Sequence, residues 1–200
     1  MPIVSGEQNS GSLTGMVNKE SNRYFLAVIP PNPIYDQAQH WKEYFRDEFG
    51  SKASLNSPPH ITLHMPFMWP DRKALMLKQK LAEFFHSQNG MTIQLSNFGK
   101  FGKRVIFLNV EQNLQLDDLH ANLHRFCKRS LNLFNADYQD RPFYPHLTLA
   151  FRDLKTDQFD RAWKEFGRKQ FEAGFQVMEV HLLRHNGKIW EAEKSFILAN

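Results

Sequence analysis

Two segments of the chain repeat one short pattern: Pro59-His60-Ile61-Thr62-Leu63 and Pro145-His146-Leu147-Thr148-Leu149. With nine histidines among 200 residues and threonine scarcer still, chance placement predicts roughly 0.2 His-x-Thr triplets. Two copies, each preceded by proline and followed by leucine, are not coincidence. Alternate side chains of an extended strand share a face. His60, Thr62 and His64 therefore fall on one side, with Ile61, Leu63 and Met65 on the other. The second copy sets His146, Thr148, Ala150 and Arg152 against Leu147, Leu149 and Phe151. The aliphatic faces suit a core; the faces bearing imidazole and hydroxyl do not. Two imidazoles and two hydroxyls facing each other across a cleft would hold a tetrahedral anion. One neutral histidine could then accept a proton from an attacking oxygen while the other, protonated, gives one to the leaving oxygen. An ordinary histidine titrates near 6.5, so both forms are accessible at neutral pH.

The elements that must position these residues also repeat. Residues 24–29, "YFLAVI", read as a buried strand ended by Pro30, Pro31 and Pro33, followed by a helix with Ile34, Ala38, Trp41, Phe45 and Phe49 inward. The first His-x-Thr strand follows, then a helix on Ala74, Leu77, Leu81, Phe84 and Phe85, then a strand over 91–98. "VIFLNV" (105–110) starts the order again, with Phe107 matching Phe25. A helix on Leu116, Leu119, Leu123 and Phe126 leads to the second His-x-Thr strand. A helix capped at Thr156 comes next, then a strand over about 171–184 and a hairpin at Asn186-Gly187 into a last strand. The pattern predicts an α+β protein: a bilobal, duplicated β-α-β-α-β unit with antiparallel or mixed sheets flanking a central cleft. The lobes are expected to be the two halves of the chain, meeting near 99–104. Residues 1–22, polar and rich in Gly, Ser and Asn, read as a flexible tail before a single domain over 23–200.

Bulk properties narrow the class. An apolar content of 42% with 18 Phe describes a globular chain. No apolar run reaches the roughly 20 residues of a membrane span, and the N-terminus has no secretory pattern. The single cysteine, Cys127, falls on the apolar side of a predicted helix and reads as a buried hydrophobe. A cytoplasmic, reducing setting and a monomer are expected. The net charge of +4 permits an anionic ligand without demanding one.

Paired His-x-Thr motifs on strands of a duplicated lobe resemble the two-histidine phosphoesterase superfamily, whose members include 2′-5′ RNA ligase and 2′,3′-cyclic phosphodiesterase proteins. The resemblance covers nearly everything after residue 23. It implies a phosphodiesterase that needs no metal or other cofactor. It also implies partners that are RNA ends or nucleotides carrying a 2′,3′-cyclic phosphate or a 2′-5′ linkage. Carried over, His60 and His146 become acid and base in an unassigned order, and Thr62 and Thr148 bind the phosphate. His64 and Arg152 are candidate phosphate contacts, and Tyr144 and Phe101 candidate base-stacking residues. Phe98, Phe101, Lys100, Lys103 and Arg104 also interleave aromatics with cations, the composition of a single-strand contact or of a solvated connection. His120 with His124, and His181 with His185, are spaced for a shared metal, but the chain lacks the three or four ligands that zinc sites use. A non-catalytic nucleotide- or RNA-binding module of the same fold is the alternative to an enzyme.

Overall fold

In the first strand Tyr24, Leu26 and Val28 point one way and Phe25 and Ala27 the other, and all five are buried. A short continuous apolar run of this kind is an interior strand. The computed structural model, which describes residues 21–134 and 142–199, sets it well inside an eight-stranded sheet. The strands are β1 (Ser21–Val28), β2 (Ile61–Pro70), β3 (Met91–Phe101), β4 (Val105–Val110), β5 (His146–Ala150), β6 (Glu172–Val177), β7 (Glu179–His185) and β8 (Trp190–Ile197). Their order is β6-β3-β4-β5-β2-β1-β7-β8, and every neighbouring pair is antiparallel. The helices are α1 (Ile34–Phe49), α2 (Ala74–His86), α3 (Leu114–Ser130) and α4 (Thr156–Phe166). Their buried stripes join one strand face in a single core. The opposite face carries a small cluster of Phe25, Ala27 and Leu183, flanked by Ile29 and Trp190, with Phe107 buried apart from it.

The sheet consists of two four-stranded halves joined at β5 and β2, where Ile61 opposite Leu147 is the one registered pair. These halves are not the halves of the chain. A division near 99–104 puts β3 with β1 and β2, but β3 pairs with β4 and β6, while β7 and β8 extend the half of β1 and β2. The long strand expected over 171–184 is accordingly two. It breaks at Met178, so that β6 adds to one half and β7 to the other. Helices cross as well: α1 packs on β5 and α3 on β2. Strand periodicity reports which residues are buried but not which strand is next door, so this exchange carries no local signal.

Ser21 and Asn22, expected in the tail, already pair with Pro70 and Trp69, and the rest of the expected tail lies outside the described residues. Thr156 is the first residue of α4 rather than its cap, a role taken by Lys155. The Asn186-Gly187 hairpin forms, with Asn186 Oδ1 accepting from the amides of Lys188 and Ile189. Cys127 is fully buried, and burial pushes its thiol up to about 12. Among the described residues no helix is long and apolar enough to cross a membrane.

Candidate active site

Ile61 and Leu147 are equivalent positions of the two motifs, and they stand opposite each other at the seam. Both are fully buried in the helix-side core. Their neighbours therefore turn to the other face: His60 and Thr62 from one strand, His146 and Thr148 from the other. Antiparallel register places His60 across from Thr148 and Thr62 across from His146. Directly opposed residues lie about 5 Å apart, and diagonal ones about 7–8 Å. The two imidazoles thus occupy one diagonal of a small rectangle and the two hydroxyls the other, around a local two-fold axis.

Each ring is held in the same way. His60 Nδ1 lies 2.7 Å from the Pro58 carbonyl, and His146 Nδ1 lies 2.7 Å from the Tyr144 carbonyl. A carbonyl can only accept, so Nδ1 carries the proton and Nε2 is left as the lone-pair nitrogen of the neutral ring. Burial lowers the proton affinity of both. His60 is pushed down to about 4, first by desolvation and further by the charges of Lys42 and His146, against its hydrogen bond to Pro58. A phosphate between the rings reverses part of this, since an anion favours imidazolium.

Aromatic rings wall the rectangle. Phe25 lies 4.9 Å from the His60 ring and carries Trp190 edge-on at 4.7 Å. On the other side Phe107 and Phe101 lie 5.0 and 4.9 Å from His146, and Tyr144 stands edge-on to Phe101 at 5.4 Å. Phe101 and Tyr144 are therefore at the cleft rim, with Tyr144 well exposed. Trp190 is a wall residue that the motif pattern did not single out. Its only signal is its place at the start of the last strand.

His64 is not in the cleft. One step along β1, from Ala27 to Leu26, matches two along β2, from Thr62 to His64, so Leu63 is the extra residue of a bulge. The bulge reverses the alternation and turns His64 to the helix side. There it is buried, 5.1 Å from the His124 ring, with its Nδ1 3.0 Å from the Met65 carbonyl. The second motif repeats the device: Phe107 matches Thr148 and Ile106 matches Ala150, leaving Leu149 as the extra residue. Arg152 also departs from the expected strand face. It follows the end of β5 with φ of 63°, exposed, its guanidinium 4.9 Å from the Phe151 ring centre. The basic stretch is largely tied to α4. Lys100 lies over Trp163 and Lys103 pairs with Asp160, which leaves Phe101 as the cleft residue of that segment. Among the described residues no group of three potential ligands could hold a metal; the His120 and His124 rings lie 4.2 Å apart and tilted at 40°, and His120 stacks on Phe143 at 3.7 Å.

Two supports were unforeseen. Lys42 occupies the middle of the buried stripe of α1, between Ala38 and Phe45, beside Trp41, which packs against the core as expected. It is 1% exposed, donates to the Ser57 carbonyl, and is pushed down to about 7 by burial alone. Asp153 accepts from Ser51 Oγ and from the amides of Lys52 and Ala53, each at 2.9 Å. It thereby ties the end of the second motif strand to the loop that leads into the first.

Antiparallel halves meeting at paired His-x-Thr strands define a two-histidine phosphoesterase-type protein. The family model described as the 2′-5′ RNA ligase superfamily matches residues 30–189, and the chain belongs to that family. It is 29% identical over 183 residues to a protein of Oceanobacillus iheyensis that carries a phosphoesterase name, covering 88% of this chain and 98% of that one. A similarly named protein of Geobacillus kaustophilus is 28% identical over 180 residues, covering 88% and 96%. Among solved structures, Escherichia coli LigT complexed with 3′-AMP superposes with a TM-score of 0.65 at 23% identity, covering 90% of this chain and all of LigT.

Proposed function

We propose that the protein is a phosphodiesterase that opens 2′,3′-cyclic phosphates on RNA ends or nucleotides with water and, when an RNA 5′-hydroxyl attacks in place of water and the 3′ oxygen leaves, joins 2′-5′ linkages. The observation that carries this reading is the rectangle at the seam, with both Nδ1 atoms anchored on carbonyls and both Nε2 atoms left for substrate. One neutral imidazole takes the proton of water through Nε2 as the oxygen attacks phosphorus. The other, as imidazolium, gives its Nε2 proton to the ribose oxygen that leaves. The Thr62 and Thr148 hydroxyls donate to the non-bridging oxygens. Base, acid and oxyanion donors all come from side chains, so the mechanism asks for no metal. The nucleotide bound to LigT supports the same ligand class here.

The test is turnover of 2′,3′-cyclic nucleotides and of a short RNA ending in a cyclic phosphate, with EDTA present. Turnover that survives EDTA and collapses in His60→Ala and His146→Ala supports the reading. Binding of these ligands without turnover would leave the binding-module alternative instead.

A further inference from the structure

The carbonyls that hold the two cleft histidines belong to loops, not to strands. Ser57-Pro58-Pro59 leads into His60, and Phe143-Tyr144-Pro145 leads into His146. Ser57 and Phe143 thus hold the same place, three residues before the histidine and one before the anchoring carbonyl. Each is fixed by a residue of the helix that precedes its motif strand. Lys42 of α1 donates to the Ser57 carbonyl. His120 of α3 lies face to face with Phe143, the ring centres 3.7 Å apart and the planes within 8° of parallel.

The second loop depends on its support more than the first. Pro142 and Pro145 have no N–H to give, and among the described residues 142–145 make no backbone–backbone hydrogen bond. The Tyr144 ring leans on Phe101 and Phe107, but from an exposed rim. Phe143, by contrast, is packed against the helix-side core. Rings as close and as parallel as those of His120 and Phe143 leave Phe143 little freedom to turn. His120 is backed in its turn. The His124 ring lies 4.2 Å from it, and the buried His64 of β2 lies 5.1 Å from His124. The helical histidines whose spacing suggested a metal are therefore links in a chain of rings. That chain runs from the first motif strand to the loop that anchors the second.

We propose that His120 is a positioning residue for His146: through Phe143 it holds the peptide whose carbonyl keeps the Nδ1 proton of His146 in place and Nε2 aimed into the cleft. This rests on the phosphodiesterase reading for its effect on turnover, but the tautomer of His146 is read without turnover. Long-range proton–nitrogen correlation spectra of the 15N-labelled full chain report it, the His146 signal being identified by its loss in His146→Ala. The wild type is expected to show the Nδ1–H form at both His60 and His146. His120→Leu, which removes the flat ring, is expected to mix the two tautomers at His146 and leave His60 unchanged. It should also lower kcat by about tenfold or more, the scale of a misplaced reacting group, with KM changed less than threefold.

His120→Phe keeps a ring against Phe143 and should restore both the tautomer and kcat. Phe143→Leu opens the same stack from the loop side and should repeat the effects of His120→Leu, which keeps the test available if either leucine variant fails to fold. A His146 tautomer unchanged in the leucine variants overturns the proposal. So does equal mixing at His60 and His146, which would mean general loosening, and so does a failure of His120→Phe to restore the tautomer. Mixing confined to His146 in a protein without cyclic phosphodiesterase turnover would leave the support standing and remove the enzyme reading alone.

Discussion

The two motif strands carry the same chemistry on different foundations. On the His60 side a buried lysine lies under the loop, Asp153 pins residues 51–53, and Ala27 stands opposite Thr62. On the His146 side Phe107 occupies the position that register gives to Ala27, so the sequence match of Phe25 with Phe107 is displaced by two residues, although both rings reach their histidine. Both strands keep the His-x-Thr pair and the bulge behind it, but not the electrostatics. His60 feels Lys42 in addition to burial, whereas burial is the only lowering influence on His146. A symmetric site thus holds two unequal bases, which suits a reaction needing one histidine in each protonation state.

Removing either histidine gives the largest effect expected. His60→Ala and His146→Ala should each lower kcat by about 10²–10⁴-fold. Both pKa values are shifted below 6.5, so the singly protonated pair of the free protein exists in mildly acidic solution. The bell of kcat/KM should therefore be centred below pH 6.5. The bell of kcat, which reports the complex with its anion, should lie at higher pH. Coincident bells centred above 7 would contradict the burial argument.

Lys42→Met separates the halves next. A lysine that titrates near 10.5 unfolded and about 7 folded disfavours folding once the unfolded chain is protonated. Stability therefore falls as pH drops from about 10.5 to 7 and is level below that. The methionine variant should lose this slope and gain stability near neutral pH on the order of a few kcal/mol, offset in part by the lost bond to Ser57. It should also raise the titration of His60, bringing the two sides closer. Urea melts across pH 7–10 and the acid limb of kcat/KM check both arms. An unchanged slope would mean that the ammonium is not buried in solution.

A third contrast lies beneath the sheet. Under β2, His64, His120 and His124 form a chain of rings, and the position in β5 matching His64 is Ala150. Burial lowers all three, His64 and His120 to about 4, with further lowering of those two by their histidine neighbours. The unfolded chain takes up protons near 6.5 and the folded one does not, so stability falls as pH drops from about 6.5 to 4. His64→Leu should flatten that fall. An acid slope as steep as that of the wild type would place the sensitivity elsewhere.

How much of this was legible follows from the range of each signal. The paired motifs gave the four seam residues because a strand's alternation is local, and the helices were readable from their stripes. His64 was misplaced by one bulge, since a single extra residue turns every later side chain to the other face. Lys42 was overlooked because its spacing from Ala38 and Phe45 is core spacing while its chemistry is not. Trp41 offered an apolar residue one position away. The exchange of β3 and of β7 with β8 depends on pairing between distant segments, and the hydrogen bonds of Asp153 span about one hundred residues. Neither leaves a periodic trace.

The smallest effect concerns the ends of the two strands. After its bulge β2 runs on to Pro70, whereas β5 stops at Ala150 and the chain turns at Arg152 in the left-handed region. An arginine there is strained by about 1 kcal/mol relative to glycine. The turn has a use, because it aims Asp153 at the loop that precedes His60. Arg152→Gly keeps the turn and relieves the strain, so the melting temperature should rise by about 2–4 °C. If the side chain serves only its surface contact with Phe151, kcat/KM should change less than threefold. A tenfold loss restored by Arg152→Lys would instead bring the cation to the substrate phosphate and make the shorter strand the anion-gathering side of the cleft.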